Sequence, residues 1–213
     1  MTEPLAWATA DIIGHSFLAI WSPEDDTVRA AGFWATGAGV AGAGAAGAGA
    51  AGAGAAGAGA AGAGAAGAGV ADPTVDPLWE RLRASNPVLA GRGLAPAPAA
   101  TGAVPAALAA YAAGDLGAID RLTVAQRETP FRGEVWRALR QVAPGRAVTY
   151  SELAALAGRP AAVRAAASGC ATNLVALIVP CHRIVRADGG FGGYLFGTEV
   201  KQRLLAHEAA AGR

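Results

Sequence analysis

Residues 178–185 read Ile-Val-Pro-Cys-His-Arg-Ile-Val, an apolar run that is interrupted by a thiol, an imidazole and a guanidinium. An exposed reactive cysteine is short-lived and a fully buried one is inert. A Cys-His pair in an apolar, strand-like segment therefore favours a nucleophile that is kept in a pocket. The dipeptide alone is equally compatible with a small buried side chain beside a surface histidine, so the context of Cys181 has to decide.

The segment upstream of this run predicts a helix-turn-helix. Ser151 is the predicted N-cap of its first helix, and Leu153 and Leu156, three residues apart, are expected on one face. Gly158 and Pro160 are expected to end that helix and allow the next one to start.

The second helix of this motif, over residues 161–167, consists almost entirely of alanine with one long cation, Arg164. A helix that reads bases in the major groove needs several polar side chains, because base edges are read by bidentate hydrogen bonds. Small residues with a single arginine instead predict a helix that is pressed closely into a groove without reading sequence.

Together these motifs resemble the O6-alkylguanine-DNA alkyltransferases, also called methylated-DNA-protein-cysteine methyltransferases. The resemblance runs from Thr129 through Glu208 without an evident gap. Its separate motifs are Val135-Trp136, Pro144-Gly145 before Tyr150, the helix-turn-helix with Arg164, Asn173, Pro180-Cys181-His182-Arg183, Gly193-Tyr194, and Leu204-Leu205-Ala206-His207-Glu208.

The resemblance implies a set of catalytic roles. Cys181 would attack the alkyl carbon on guanine O6, and it would act once because a thioether is a poor leaving group. His182 would be the base that draws the thiol proton, with Glu208 orienting its imidazole, and Tyr150 would donate a proton to the departing guanine. Without the family, Glu208 reads as a surface carboxylate and Tyr150 as a core tyrosine at a strand end.

The resemblance also implies DNA-binding roles. Arg164 matches the finger that enters the base stack through the minor groove when a nucleotide is extruded, and its alternative is a phosphate contact. Asn173 matches the residue that ties the recognition helix to the active-site loop. Asn173 and Arg183 are also expected among the DNA-binding residues. Leu174 stands where many relatives have proline, which predicts a looser turn.

The base pocket is the last part that the resemblance implies. Tyr194 matches the residue that closes this pocket, and the main-chain carbonyls of Cys181 and Ile184 would accept from the guanine amine. Leu195 and Phe196 lie where some relatives have small residues. We therefore expect a pocket that takes methyl well and benzyl-sized groups poorly.

Charge divides the chain into two unlike halves. The net charge is +1, but residues 131–213 contain 11 Lys or Arg and 5 Asp or Glu, or +6, whereas residues 1–130 contain 6 and 11, or −5. The basic half is the half with the predicted helix-turn-helix, as expected for a DNA-binding region. An ordinary solvated charge pattern is the alternative.

Cysteine usage limits the metal and redox chemistry. Two cysteines, Cys170 and Cys181, do not support a disulfide framework or a cysteine-built metal site. Some members of the family carry zinc in the N-terminal domain, but the matching half of this chain has no cysteine. We therefore predict no metal and no cofactor.

The predicted fold class is α/β (α+β), in two domains. Residues 1–128 are expected to form a small N-terminal α/β domain, with strands over 7–12, 15–21 and 27–34. Helices are expected over 76–89, where Pro87 ends the helix early, and over 104–113, where Gly114 closes it. Residues 129–213 are the expected helical DNA-binding and catalytic domain.

Two segments of the N-terminal half predict irregular structure. Residues 37–70 contain a Gly/Ala repeat of five-residue period, which fits neither helix nor strand and has no large side chain to bury, so we expect a disordered insertion. Residues 91–103 read as a Pro/Ala/Gly linker. The chain shows no long bulky apolar span and no secretory pattern at its start, so we expect a cytoplasmic protein without a membrane partner.

Three functions from different classes remain open. The leading one is a single-use repair alkyltransferase that acts as a monomer on double-stranded DNA containing alkylated guanine, with O4 of thymine as a further target left open. The second is an alkyltransferase-like damage binder, against which Cys181 argues because those proteins replace the cysteine. The third is a helix-turn-helix regulator, which the alanine-rich second helix disfavours.

Overall fold

A four-stranded sheet forms the core of the first half of the protein, whose computed structural model describes residues 3–33, 77–97 and 102–212. The strand order is β3-β2-β1-β4. Its central strand pairs are antiparallel, whereas β4 runs parallel to β1. The strands are β1 (Leu5–Ile12), β2 (His15–Ser22), β3 (Thr27–Phe33) and β4 (Leu94–Pro96).

A two-residue turn at Ile13 and Gly14 joins β1 and β2, between the two strands predicted over 7–12 and 15–21. Ile13 and Gly14 both have positive φ, at 57° and 79°, which is the backbone of a two-residue turn that matches the twist of the strands. The carboxylate of Asp11 accepts a hydrogen bond from the Gly14 N–H at 2.9 Å. Trp34, the predicted end of the third strand, and the repeat over 37–70 lie outside the described residues.

The described part of the first half also contains three helices and a 3-10 turn: α1 (Pro77–Ser85), α2 (Pro87–Ala90), α3 (Ala103–Ala112) and the turn Ala118–Arg121. The first helix ends before Pro87, as predicted, because proline disfavours helical backbone at the residue before it. Strand β4 lies inside the segment that was predicted to be a linker. Its composition suggested irregular structure, but its backbone pairs with β1, so that prediction is wrong there.

Helices dominate the second half, with one short parallel strand pair. The elements are α4 (Pro130–Leu139), β5 (Val148–Thr149), α5 (Tyr150–Leu156), α6 (Val163–Ala171), the 3-10 turn Cys181–Arg183, β6 (Ile184–Val185) and α7 (Thr198–Ala211). None of the helices in the described ranges is long and apolar enough to cross a membrane. The division into domains at residues 128 and 129 stays a prediction.

Helices α5 and α6 form the predicted helix-turn-helix, but the N-cap is Thr149 and not Ser151. The Thr149 hydroxyl accepts from the Glu152 N–H at 3.2 Å, and the Glu152 carboxylate accepts from the Thr149 N–H at 2.6 Å. This reciprocal pair needs an acidic or amide side chain three residues after the cap, and Ser151 has alanine at that position. Gly158, at φ 77°, follows the end of α5 as predicted.

Leu153 and Leu156 both lie on α5, three residues apart, as predicted. Leu153 is buried, whereas Leu156 is 50% exposed, so the face that they share is only partly covered.

A close contact with α4 fixes the position of α6. A Cβ atom on Gly169 would come within 2.8 Å of the Val135 side chain, so only glycine allows this approach. The indole N–H of Trp136 donates to the Gly169 carbonyl at 2.9 Å. Arg164, near the start of α6, stays exposed in this packing.

The loop that leads to Cys181 is attached to the N-terminal sheet. The Ala31 N–H donates to the Leu174 carbonyl, and the Ala176 N–H donates to the Ala31 carbonyl, both at 2.8 Å. Beyond this bridge the chain turns, and Cys181–Arg183 form a 3-10 turn, so the strand-like reading of 178–185 holds only for β6. Ile178 and Val179 of the run are buried outside any strand, whereas Ile184 and Val185 pair with β5.

Candidate active site

Glu208, in the last turns of α7, is a fully buried carboxylate at the centre of a hydrogen-bond network. It accepts from the Tyr111 hydroxyl at 2.9 Å, the Gly145 N–H at 3.1 Å, Nε2 of His182 at 2.9 Å, and Nε and Nη2 of Arg183 at 3.1 and 2.8 Å. Burial alone would raise the pKa of Glu208, but the hydrogen bonds from His182 and Arg183 hold this pKa well below its usual range.

This network sets the protonation of His182. An ionised carboxylate only accepts hydrogen bonds, so Nε2 of His182 carries the hydrogen. Burial lowers the pKa of the imidazole, since Arg183 already neutralises Glu208 and a second buried positive charge would be uncompensated. The other nitrogen, Nδ1, is buried and has no hydrogen-bond partner among the described residues. His182 thus offers a free basic nitrogen next to Cys181 in the chain.

The Cys181 thiol lies in an apolar but hydrogen-bonded setting. Burial raises its pKa, whereas a hydrogen bond from Asn173 and the positive charges of Lys201 and Arg81 lower it without cancelling the effect of burial. Nδ2 of Asn173 donates to Sγ at 3.4 Å. The thiol is therefore protonated at rest and needs a base when it reacts.

Lys201 supports the segment that follows Cys181. Its buried ammonium group donates to the main-chain carbonyls of Ile184 and Phe191. Burial lowers the pKa of Lys201, and the neighbouring thiols act in the opposite direction.

Two tyrosines belong to the same setting. Burial first, and then the nearby Cys170 and Cys181 thiols, raise the pKa of Tyr150, so its phenol keeps its proton. A Cβ atom on Gly192 would lie 3.4 Å from the Tyr150 hydroxyl, so glycine leaves space there. Burial raises the pKa of Tyr194 as well, and its hydroxyl has no partner in the described part of the chain. Both phenols are available as donors.

Phe196 connects this pocket with the N-terminal sheet. Its ring contacts Tyr194 edge-on at a centroid distance of 5.4 Å and Phe33 of β3 at 5.7 Å. A Cβ atom on Gly32 would come within 2.5 Å of the Phe196 ring. The absence of a side chain at Gly32 thus leaves room for the Phe196 ring, which packs against Tyr194. The neighbouring Leu195 is partly buried.

Comparison with known proteins identifies the family. Residues 130–210 match the family model described as 6-O-methylguanine DNA methyltransferase, DNA binding domain. The chain is 39% identical over 130 residues to the methylated-DNA–protein-cysteine methyltransferase of Salmonella typhimurium. The aligned region covers 61% of this chain and 68% of that protein. The chain belongs to the methylated-DNA–protein-cysteine methyltransferase family. It is also 51% identical over 83 residues to the bifunctional transcriptional activator/DNA repair enzyme Ada of Escherichia coli, over 39% of this chain and 23% of Ada.

A solved structure shows the same fold over nearly the whole chain. OGT of Mycobacterium tuberculosis, solved in complex with DNA, superposes with a TM-score of 0.61 at 21% identity, covering 97% of this chain and 94% of that one. The predicted α/β fold class is thereby confirmed for this member of the methylated-DNA–protein-cysteine methyltransferase family.

Two residues that were grouped with the expected DNA-binding residues are buried in this methyltransferase family member, so their contact with DNA stays a prediction. Arg183 is 1% exposed, with Nη1 donating to the Val142 carbonyl at 2.5 Å and the rest of the guanidinium bound to Glu208. Asn173 is 4% exposed, and its Nδ2 donates to the Val179 carbonyl at 2.8 Å. Both side chains organise the site from inside, and the tie between Asn173 and the loop is present as expected.

The carbonyls expected to receive the guanine amine are already partly engaged. The Cys181 carbonyl accepts from the Ile184 N–H, and the Ile184 carbonyl accepts from Lys201. A carbonyl oxygen has two lone pairs, so one hydrogen bond does not by itself exclude a second. Ile184 is 0% exposed as a whole residue, so its side chain and its main chain are both buried.

Sequence reasoning missed four residues of the site: Tyr111, Lys201, Arg81 and Gln126. Lys201 carried a signal, because it is the only lysine in a chain that otherwise uses arginine. Tyr111 carried a weaker one as a lone phenol in an alanine-rich helix. Arg81 donates to the Ala171 and Asn173 carbonyls, and Gln126 binds the Asn173 side chain, but no local pattern marked either residue.

Proposed function

We propose that this protein repairs DNA by taking an alkyl group, methyl above all, from O6 of guanine in a duplex and keeping it on Cys181. One observation carries this proposal. The Cys181 thiol is followed directly by His182, whose Nε2 is held by Glu208 at 2.9 Å while its Nδ1 has no partner among the described residues. Nucleophile, base and orienting acid are thus connected in the order that an activated thiol requires.

The proposed reaction is a single in-line displacement. Nδ1 of His182 takes the thiol proton through a water molecule, and the sulfur attacks the alkyl carbon. The S–C bond forms as the C–O6 bond breaks, and the electron pair goes to the guanine, to which the Tyr150 phenol gives a proton. The resulting thioether is a poor leaving group, so each protein molecule reacts once.

Arg164 is the residue that we propose to act on the DNA stack. It is exposed on α6, and within the described structure its side chain makes no hydrogen bond or ion pair. Chemistry on a base inside a duplex requires the nucleotide to be extruded, at a cost of roughly a few kcal/mol. A free arginine on a helix of small residues can fill the gap that the base leaves, from the minor-groove side.

Substrate size is the next part of the proposal. Tyr194 closes the base pocket, and Phe196 packs against its ring and against Phe33. A bulky side chain at this place restricts the space for a large alkyl group, so methylguanine is the proposed substrate ahead of benzylguanine.

Weighing the protein after reaction tests the proposed function. The protein is incubated with a duplex that contains one O6-methylguanine, and a Cys181→Ser variant is the control. A gain of one methyl group in the wild-type protein and none in the variant supports alkyl transfer. Tight binding to the lesion without a mass gain supports a damage binder. The absence of both a mass gain and tight binding to the lesion supports a regulator. Either of the last two outcomes overturns the proposal.

The proposal includes a monomeric protein in the cytoplasm, with no cofactor, metal or membrane partner. Within the described residues, no group of three or more His, Cys, Asp or Glu side chains is placed to hold a metal ion. Sedimentation with a short lesion-containing duplex tests the stoichiometry, and two protein molecules on one lesion would contradict the monomer.

A further inference from the structure

Gln126 makes two hydrogen bonds to the loop that carries Cys181. Its Oε1 accepts from the Leu174 N–H at 2.8 Å, and its Nε2 donates to Oδ1 of Asn173 at 3.0 Å. Gln126 lies in the segment before α4, outside residues 130–210 that match the family model. The contact therefore reaches the catalytic loop from outside the matched domain.

The backbone fixes the direction of both amide side chains. The Leu174 N–H can only donate, so the Gln126 atom that faces it must be the oxygen, and Nε2 must face Asn173. The Asn173 atom at that place must then be Oδ1, which agrees with a second donor, the Val175 N–H at 3.1 Å. Only Nδ2 of Asn173 is left to face the Val179 carbonyl and the sulfur of Cys181.

We propose that Gln126 is a positioning residue, which fixes the Asn173 amide so that its N–H, and not its oxygen, faces the Cys181 sulfur. This inference rests on the proposed function, in which the sulfur carries negative charge as it attacks. An N–H donor stabilises that charge, whereas a reversed amide would place an oxygen lone pair against it. Gln126 thus acts on the reacting atom through Asn173.

Leu174 is the partner that makes this arrangement possible. A proline at this position would have no N–H with which to orient a glutamine. The sequence predicted a looser turn at Leu174. The structure shows the Leu174 N–H bound to Oε1 of Gln126, and the looser turn stays a prediction.

Gln126 makes no hydrogen bond to the titratable groups that act on the thiol in the described structure. A change at Gln126 therefore removes none of their hydrogen bonds directly. These groups are Arg81 on α1, Tyr150 on α5, Cys170 on α6, His182 in the 3-10 turn, Tyr194 in the loop before α7, and Lys201 on α7.

Two substitutions separate the donor of Gln126 from its acceptor. Gln126→Glu keeps an oxygen for the Leu174 N–H but sets a carboxylate against Oδ1 of Asn173, which favours the reversed amide. Gln126→Leu removes both hydrogen bonds without adding charge. Gln202→Glu, at an exposed position of α7, is the matched control for the added charge.

The thiol pKa is measured on the full-length protein from the pH dependence of alkylation by iodoacetamide, with peptide mapping to separate Cys181 from Cys170. We expect Gln126→Glu to raise this pKa by about one unit or more, and so to slow the reaction near neutral pH about tenfold. Gln126→Leu should have a smaller effect in the same direction, and Gln202→Glu none. An unchanged pKa in a folded Gln126→Glu protein overturns the inference.

Leu174→Pro keeps the test decisive if Gln126→Glu does not fold. It removes the N–H that orients Gln126, together with the buried Leu174 side chain, so the thiol pKa should rise, and Gln126→Leu should add little in this background. Full additivity of the two changes would overturn the inference. Methyl transfer by the wild-type protein is measured in parallel, because its failure would refute the proposed function and leave the comparison of pKa values standing.

Discussion

Nε2 of His182 lies 2.9 Å from Oε1 of Glu208, and both side chains are fully buried. The same carboxylate binds Arg183. Because one negative charge can balance only one positive charge in this interior, the imidazole stays neutral and serves as a base and not as an acid.

Removing the charge of Glu208 should cost both stability and activity. In Glu208→Gln, the buried guanidinium of Arg183 loses its counterion, and we expect the free energy of unfolding to fall by about 3–5 kcal/mol. Methyl transfer should fall as well, since His182 is no longer oriented. Urea denaturation and a single-turnover assay measure the two effects.

Glu199→Gln on the same helix is the control, because Glu199 is exposed and pairs with Arg203 at the surface. Its effect on unfolding should stay below about 1 kcal/mol. Equal effects of the two substitutions would contradict the central place of Glu208.

The stability of the protein should fall on mild acidification because of His182. Burial lowers the pKa of His182 in the folded protein, so below the unfolded value of about 6.5 the unfolded chain binds the proton more readily. This contribution is complete above that pH and is lost progressively as the pH falls from that value through the lower pKa of the folded protein. Denaturation midpoints at pH 7.5 and 5.5 measure the loss.

A His182→Gln variant should lose less stability over this range than the wild-type protein, whereas His207→Gln should behave like the wild type. Nε2 of His207 donates to the Tyr111 carbonyl at 3.0 Å and makes no hydrogen bond to Glu208 in the described structure. The same acid-induced loss in His182→Gln and wild type would show that another group is responsible.

Much of this architecture could be predicted because it depends on short stretches of sequence. The hairpin at Gly14 and the break at Pro87 follow from backbone preferences of single residues, and the family motifs located Cys181, His182 and Glu208. Other features depend on tertiary contacts. Arg183 carries the positive charge that is typical of a DNA-binding residue. Only the position of α7 in the fold shows that its partner is Glu208.

The contribution of the N-terminal half to the site could not be predicted for the same reason. Tyr111 reaches Glu208 from α3 across 97 residues of sequence, and Ala31 holds the catalytic loop through main-chain bonds that any residue type can make. Contacts of this kind leave no periodic pattern in the sequence.

Arg81 should lower the pKa of the Cys181 thiol by its charge. Its Nη2 donates to the Asn173 carbonyl at 3.3 Å, and its Nη1 is buried without a partner in the described structure. Arg81→Met keeps the aliphatic stem and removes the charge, so the thiol pKa should rise by about half a unit to one unit. The pH profile of iodoacetamide alkylation measures this change.

The control for Arg81 is Arg83→Met on the same helix, since Arg83 is exposed and pairs with Glu80 at 2.9 Å. Its thiol pKa should equal that of the wild type. A shift of the same size in both variants would mean that the folding of α1, and not the charge of Arg81, is responsible.

Phe196 should restrict the size of the alkyl group. We expect the wild-type protein to react much more slowly with a duplex containing O6-benzylguanine than with one containing O6-methylguanine. Phe196→Ala should raise the ratio of the benzyl rate to the methyl rate, because it opens space beside Tyr194. Comparable rates on the two substrates in the wild-type protein would refute the assignment.

The central claim is that Cys181 receives the alkyl group, and the location of that group tests it most directly. The chain has one other cysteine, Cys170, whose pKa is raised first by burial and then by Cys181. After reaction with an excess of methylated duplex, peptide mass mapping should find one methyl group on the Cys181 peptide and none on the Cys170 peptide. Methyl on Cys170, or an unmodified Cys181 after the lesion has been removed, would contradict the account.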